Sequence, residues 1–262
     1  MSALQITFLG TGTSVGVPMI GCQCRTCTSE DPRDQRCRSS VLIESKEGTW
    51  LIDTGPDLRQ QCLRADVRHL DAVFLTHSHY DHVAGFDELR RFTLEEDATI
   101  PVYARASTLE AVSEMFRYAF NGQNRYRGYL KPEGFVVEDS VTLGSIKAVP
   151  VPVQHGKVET IGWCFEQEGK RLFGYVPDCK IMSPESIELL RGVDTLVLDG
   201  LRYESHPTHQ SFDEAIALAG AIGARECWLT HFNCDVLHSE ALARSPKGVA
   251  PAHDGLQLEV GR

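Results

Sequence analysis

Along the chain, short apolar runs come first and alternating helical and extended patterns follow. Residues 5–9 are an apolar stretch that stops in the turn Gly10-Thr11-Gly12-Thr13, which predicts a strand and a tight loop. Residues 41–45 and 49–53 flank Lys46-Glu47-Gly48, a spacing that predicts a hairpin. Residues 72–76 predict a buried strand. Ser107 with Glu110 reads as a capping box opening a helix that runs to Phe120. Residues 141–153 predict another strand, and 161–175 a pair turning at Glu168-Gly169-Lys170. Ser183-Pro184 opens a short helix that Gly192 stops. Residues 194–198 predict a strand. Ser211 with Glu214 forms a second capping box, before a helix whose apolar face is Ala215, Ile216, Ala219 and Ile222. Residues 226–230 predict a last buried strand.

Asp53, His77, Asp178, Asp199 and His231 each stand at or just past the end of an apolar strand. Side chains so placed can converge on one rim while the strands stay buried beneath them.

Composition narrows the class. The 262 residues fit one domain spanning 1–262, with 42% hydrophobic and 24% charged residues, ordinary for a globular chain. The net charge of -10 argues against a general nucleic-acid binder. No apolar run approaches the roughly 20 residues of a membrane helix, so no membrane partner is expected. Met1 to Gly10 lacks a basic segment followed by an apolar one, so no signal peptide and a cytoplasmic location are expected. Nine cysteines in a reducing compartment read as thiols or metal ligands rather than disulfides.

The densest chemistry is His77-Ser78-His79-Tyr80-Asp81-His82, three imidazoles and a carboxylate directly after a strand. In extended chain His77 and His79 share a side. A turn into helix at Asp81 can divide the set between two adjacent cations. Imidazole nitrogen and carboxylate oxygen suit zinc, manganese or iron. Gly85 allows a close backbone approach behind the cluster.

A second set, Cys22-Gln23-Cys24-Arg25-Thr26-Cys27, can fill three corners of a tetrahedral zinc site. Cys234, just past His231, is the preferred fourth ligand and Cys37 the alternative. Cys62, Cys164, Cys179 and Cys227 lie in or near apolar segments and read as small packing residues.

Thr76-His77-Ser78-His79-Tyr80-Asp81-His82 resembles the signature of the metallo-β-lactamase fold superfamily. Leu51-Ile52-Asp53-Thr54-Gly55 resembles the motif that precedes it; His155, Asp178 and His231 match the later ones in order. The resemblance implies an α/β fold, an αββα sandwich with the active site at one edge of two sheets. It implies one metal on His77, His79 and His155, a second on Asp81, His82 and His231, Asp178 bridging them, and Asp53 orienting a ligand imidazole. The Leu9-Gly10-Thr11-Gly12 turn followed by C-x-C-x-x-C resembles, more narrowly, the phosphodiesterases of bacterial phosphonate breakdown. Some relatives place histidine as the fourth structural-zinc ligand, and Cys234 would be an acceptable replacement.

That likeness implies hydrolysis of small, cyclic phosphodiesters by hydroxide activated between two metals, with one structural zinc besides. Asp81, also a ligand, and His209 are the candidate catalytic residues. His209 matches the family's catalytic histidine and could give the leaving alkoxide its proton; His206 is its nearest competitor. Asp199 would orient that acid or hold a water. Dimers are common in the family. A tRNA 3′-processing endonuclease is the closest alternative, but no insertion rich in basic residues and glycine forms an RNA-gripping arm. The basic and aromatic stretch 116–131, with Arg117, Arg125, Arg127 and Lys131, reads as a lid or surface helix end. Related cofactor-biosynthesis proteins, which share the cysteine motif, and a non-enzymatic zinc scaffold are the other readings.

Overall fold

The structure, a computed structural model, describes residues 4–94, 98–122 and 126–261. In its first half are the strands β1 (Leu4–Gly10), β2 (Ser40–Ser45), β3 (Gly48–Ile52), β4 (Ala72–Phe74), β5 (Ile100–Ala104) and β6 (Pro132–Val136). After them come β7 (Val141–Leu143), β8 (Ile146–His155), β9 (Val158–Gln167), β10 (Lys170–Val176), β11 (Thr195–Asp199), β12 (Glu226–Thr230), β13 (Val249–Pro251) and β14 (Gln257–Val260). The helices are α1 (Leu58–Arg64), α2 (Tyr80–Val83), α3 (Ala106–Met115), α4 (Arg117–Phe120), α5 (Pro184–Leu190), α6 (Phe212–Ile222) and α7 (His238–Arg244).

Two seven-stranded sheets result, in the orders β14-β1-β2-β3-β4-β5-β6 and β13-β12-β11-β10-β9-β8-β7. Each begins as an antiparallel run of four strands and continues in parallel, through β3 to β6 in one and β10 to β13 in the other. Alternation sorts the side chains between layers. Trp50 and Ile52 of β3 face inward with Phe74, while Leu51 and Val73 face outward. Across the gap, Trp163, Phe165 and Tyr175 meet them from the second sheet. The outward faces are also apolar, as strands covered on both sides must be. Leu58, Phe86 and Val112 cover the first sheet; Phe212, Ala215, Ala219 and Ile222 cover the second. This is the expected αββα sandwich.

Local signals fixed several elements. Ser211 accepts from Glu214 N while the Glu214 carboxylate accepts from Ser211 N, a complete capping box. Ser183 caps α5 with Pro184 in its first turn. Two expectations need correction. Helix α3 begins at Ala106 after Arg105 and ends at Met115; Ser107 lies inside its first turn and hydrogen-bonds the Glu159 carboxylate of β9. The segment 141–153 is not one strand, because Gly144 and Ser145 turn the chain and β7 folds back on β8.

Within each sheet, β1, β3 and β4 run in one direction, as do β8, β10, β11 and β12. Their C-terminal ends deliver Asp53 and His77 from the first sheet, and His155, Asp178, Asp199 and His231 from the second. Asp53 and His231 both have left-handed backbone, with φ of 63° and 61°. Non-glycine residues hold such conformations at a cost, and they concentrate where side chains must be aimed.

Candidate metal centre

The Asp53 turn and the histidine segment are sewn together through backbone. Thr54 N donates to His82 O at 2.7 Å, and Gly85 N donates to Thr54 O at 2.8 Å. A Cβ at Gly85 would lie 2.1 Å from Gly55 O, so only glycine permits this approach. The short α2 then turns Asp81 and His82 inward, away from the extended His77–His79 segment. The single hexapeptide therefore reaches two places.

The first place gathers His77, His79, His155 and Asp178, whose donor atoms lie within 4.8 Å of one another. His77 Nε2 is 2.9 Å from His79 Nδ1, and His155 Nε2 is 3.3 Å from the same atom. Asp178 Oδ2 is 3.5 Å from His155 Nε2 and 3.9 Å from His77 Nε2. The second place gathers Asp81, His82 and His231. Here Asp81 Oδ2 lies 3.3 Å from His82 Nε2 and 3.5 Å from His231 Nε2. Asp178 Oδ1 lies 3.1 Å and 3.4 Å from the same two nitrogens. The two oxygens of Asp178 thus face different clusters.

Three of the imidazoles are oriented from behind. His82 Nδ1 donates to Asp53 Oδ2 at 2.7 Å. His77 Nδ1 meets Thr76 Oγ1 at 3.0 Å, and that hydroxyl in turn donates to Asp53. His155 Nδ1 donates to Thr208 O at 2.9 Å. All three contacts leave Nε2 aimed inward, the usual arrangement behind a metal-binding histidine.

The site fits cations on a further count. His82 Nε2, His231 Nε2 and Asp178 Oδ1 are buried without a hydrogen-bond partner. Buried polar atoms left so cost about 1–3 kcal/mol each, and these three point at one another. Electrostatics agrees. Burial opposes charge on His82, but Asp178, Asp81 and Asp53 outweigh it and raise its pKa well above the usual imidazole range. Burial likewise opposes charge on His231, and Asp178 and Asp81 overcome it to raise its pKa. Asp178 stays ionised well below the ordinary carboxylate range, since His231 and His82 override its burial. His77 is pushed well down by burial and by His82; burial also lowers His79 and His155. Carboxylates that draw positive charge this strongly will exchange protons for metal.

Asp199, whose role the sequence left open, is fully buried and accepts from His209 Nδ1 at 2.7 Å. It also accepts from Cys179 N and Leu201 N, so it is fixed itself. His209 is within ligand range of Asp178 and His231, but its Nδ1 is engaged by Asp199. Its ring stacks on His231 at 4.8 Å and meets His155 edge-on at 4.5 Å. His206 lies one layer out, its Nδ1 taken by Thr208. A cleft of about 290 Å³ opens over this group, with Ser14 on one wall and Lys157 on another. The sequence reading gave no role to Ser14, Lys157, Thr76 or the Thr208 carbonyl, although Thr76 opens the histidine motif and the Gly-rich turn leads into Ser14.

The cysteines form their own cluster. Cys22, Cys24, Cys27 and Cys234 bring their sulfurs within 4.8 Å of one another. Cys37 stands apart, its sulfur near Arg64. The Cys24 thiol is lowered to about 7, chiefly by the Cys27 backbone N–H. A buried ion pair anchors the loop to the end of the chain: Asp34 Oδ1 is 3.1 Å from Arg36 Nη2 and accepts from His238 N, and Arg36 reaches Asn233 O and lies over the Phe232 ring. Arg125, in the basic stretch, lies outside the described residues. Among the described residues no helix is long and apolar enough to cross a membrane.

Comparison with known proteins gives the following. The β-lactamase superfamily domain profile matches residues 49–232. An octanoyltransferase of Porphyromonas gingivalis is 36% identical over 98% of the chain, which spans only 52% of that relative's length. A coenzyme PQQ synthesis protein B of Methylobacterium is 29% identical over 86% of the chain and 79% of its own length. A crystal structure of a diphosphatase from the PhnP family superposes with a TM-score of 0.90 at 37% identity, covering 99% of this chain and 98% of that one.

Proposed function

The chain belongs to the β-lactamase superfamily, and from that premise we propose that it is a metal-dependent phosphodiesterase acting on small, cyclic phosphodiesters. Asp178 carries the reading. Its two oxygens face two separate histidine clusters, the placement a carboxylate needs to bridge a pair of cations. The diphosphatase relative, similar over nearly its full length, supports phosphoryl chemistry, and the small cleft supports a small substrate.

In this reading His77, His79 and His155 hold one cation and Asp81, His82 and His231 the other, with Asp178 between. Cys22, Cys24, Cys27 and Cys234 hold a structural zinc. The catalytic donor set accepts zinc, manganese or iron. Two such cations, when bound, supply activated water and neutralise charge on the phosphoryl oxygens. His209 does the remaining work. With Nδ1 fixed on Asp199, its Nε2 offers a proton to the departing oxygen. Asp53, through His82 and Thr76, keeps the ligand imidazoles from turning.

Metal analysis and a substrate screen test this together. We expect three ions per chain, and turnover of bis(p-nitrophenyl) phosphate or a cyclic nucleotide with added manganese or zinc. A fully loaded protein that cleaves none of these would overturn the proposal. The likeness to a coenzyme PQQ synthesis protein supports a second reading, a step in the making of a cofactor at the same centre. If the bond cleaved there were a thioester, its thiolate would need little help from an acid, and His209→Ala would cost far less.

A further inference from the structure

Apart from the histidine clusters, a pocket of about 350 Å³ lies between α1 and the 3-10 segment Phe86–Thr93. Its two walls are fixed where they begin. Leu58 N donates to Gly55 O at 3.0 Å as α1 starts, and Glu88 N donates to Gly85 O at 2.9 Å as the other segment starts. Gly55 and Gly85 meet backbone to backbone, and the Leu58 side chain packs against Gly85. The pocket is therefore formed before any ligand arrives, which lowers the cost of binding. Its size falls within the roughly 300–1,000 Å³ of small-molecule sites.

The lining is apolar from core to surface. Leu58 is fully buried, Cys62, Val67 and Phe92 are half-buried, and Leu63 is 62% exposed. The charged residues of the lining do not cancel. Asp66 is taken by Arg68 at 2.9 Å. Arg59, Arg91 and Glu88 take part in no ion pair among the described residues, whereas the neighbouring Arg90 is held by Asp87. Two guanidiniums against one carboxylate leave a positive charge unbalanced, in a chain whose net charge is -10. The Cys62 thiol does not offset it, because burial, helped by Glu88, raises its pKa to about 11 and keeps it neutral.

We infer that this pocket binds a small monocarboxylate with a hydrocarbon body, its carboxylate on Arg59 and Arg91 and its chain against Leu58, Cys62 and Phe92. The planar guanidinium matches a carboxylate edge to edge, and the chain is driven in by the apolar surface it covers. A single negative charge balances the spare cation. An alcohol of the same length supplies none, and an amine adds to the excess. The site is separate from the metal centre and does not depend on the phosphodiesterase reading.

Titration of the nitrogen-15-labelled protein with hexanoate, hexan-1-ol and decanoate, followed by amide shifts, tests this. We expect saturable shifts centred on residues 58–67 and 88–92. Decanoate, with four more methylenes to bury, should bind at least about tenfold tighter than hexanoate, and hexan-1-ol at least about fivefold weaker. Arg59 and Arg91 are both exposed, so replacing them leaves the core intact. The double variant Arg59→Gln, Arg91→Gln should weaken hexanoate about tenfold and leave hexan-1-ol unchanged. Absence of saturable binding, shifts centred elsewhere, equal affinity for the acid and the alcohol, or full affinity for hexanoate in the double variant would each overturn the inference.

Discussion

Replacing Asp199 by asparagine isolates the charge behind His209 from the rest of the site. The residue is fully buried, and its carboxylate accepts from His209 Nδ1 at 2.7 Å, Cys179 N at 3.0 Å and Leu201 N at 3.2 Å. An amide has the same shape but one acceptor oxygen. Turned toward His209 and Cys179, it sets its NH2 group against the Leu201 N–H. Attraction between a carboxylate and an imidazolium at such range is on the order of 4 kcal/mol in a partly polarisable interior. A neutral hydrogen bond retains about 1 kcal/mol. The difference, about 3 kcal/mol, corresponds to a rate factor of about 10². It applies only where His209 must give up a proton. The assay therefore compares a cyclic nucleotide, whose leaving group is an alkoxide, with bis(p-nitrophenyl) phosphate, whose nitrophenolate leaves without one. We expect kcat to fall about 10²-fold for the first and less than about tenfold for the second. Equal losses on both substrates, at unchanged thermal stability, would refute the assignment of Asp199 and His209 to the leaving group.

Three further outcomes follow from other parts of the molecule. Asp34→Ala leaves the buried Arg36 guanidinium without its carboxylate; urea unfolding should show a loss of about 3–5 kcal/mol, and a loss below 1 kcal/mol would contradict the buried pair. His238, which burial and the nearby Arg33 and His253 lower to about 4, binds more protons unfolded than folded between that value and the ordinary 6.5. Its contribution should be complete above pH 6.5 and decline as pH falls toward 4, so His238→Gln should show a shallower acid loss of unfolding midpoint than the unaltered protein. Cys22→Ser should lower bound metal from three ions to two while the catalytic pair remains; loss of all three on elemental analysis would mean the sites are not separate.

The legible parts of the fold were those written locally. A serine three residues before a glutamate fixed the start of α6 because both partners of the cap lie within one turn. The same pattern misled at Ser107, whose hydroxyl is taken by Glu159, 52 residues away. β14 lies beside β1 through Leu4–Val260 and Thr7–Gln257, a pairing with no nearby signal, and β13, α1 and α7 were not read at all. The hexapeptide at His77–His82 carries its chemistry in plain order. Asp178 and His155, by contrast, are ordinary residues in isolation, and their assignment as ligands came from the resemblance. The choice of Cys234 over Cys37 was open in sequence because spacing cannot say which loop meets which. Lys157 gave no signal, since the cleft it lines exists only after folding.

The pairing of β14 with β1 sets an order on synthesis. β1 is made well before β14, and one of its edges is matched only when residues 257–260 have emerged. Phe8 then exchanges backbone hydrogen bonds with Leu256 and Gly255. Until that moment the nascent chain presents an open, apolar strand to its neighbours, the kind of edge that invites association between chains. Crowded polysomes translating this message should therefore be where the protein is most prone to clump, and a chaperone that shields β1 should matter more to its yield than one acting after release.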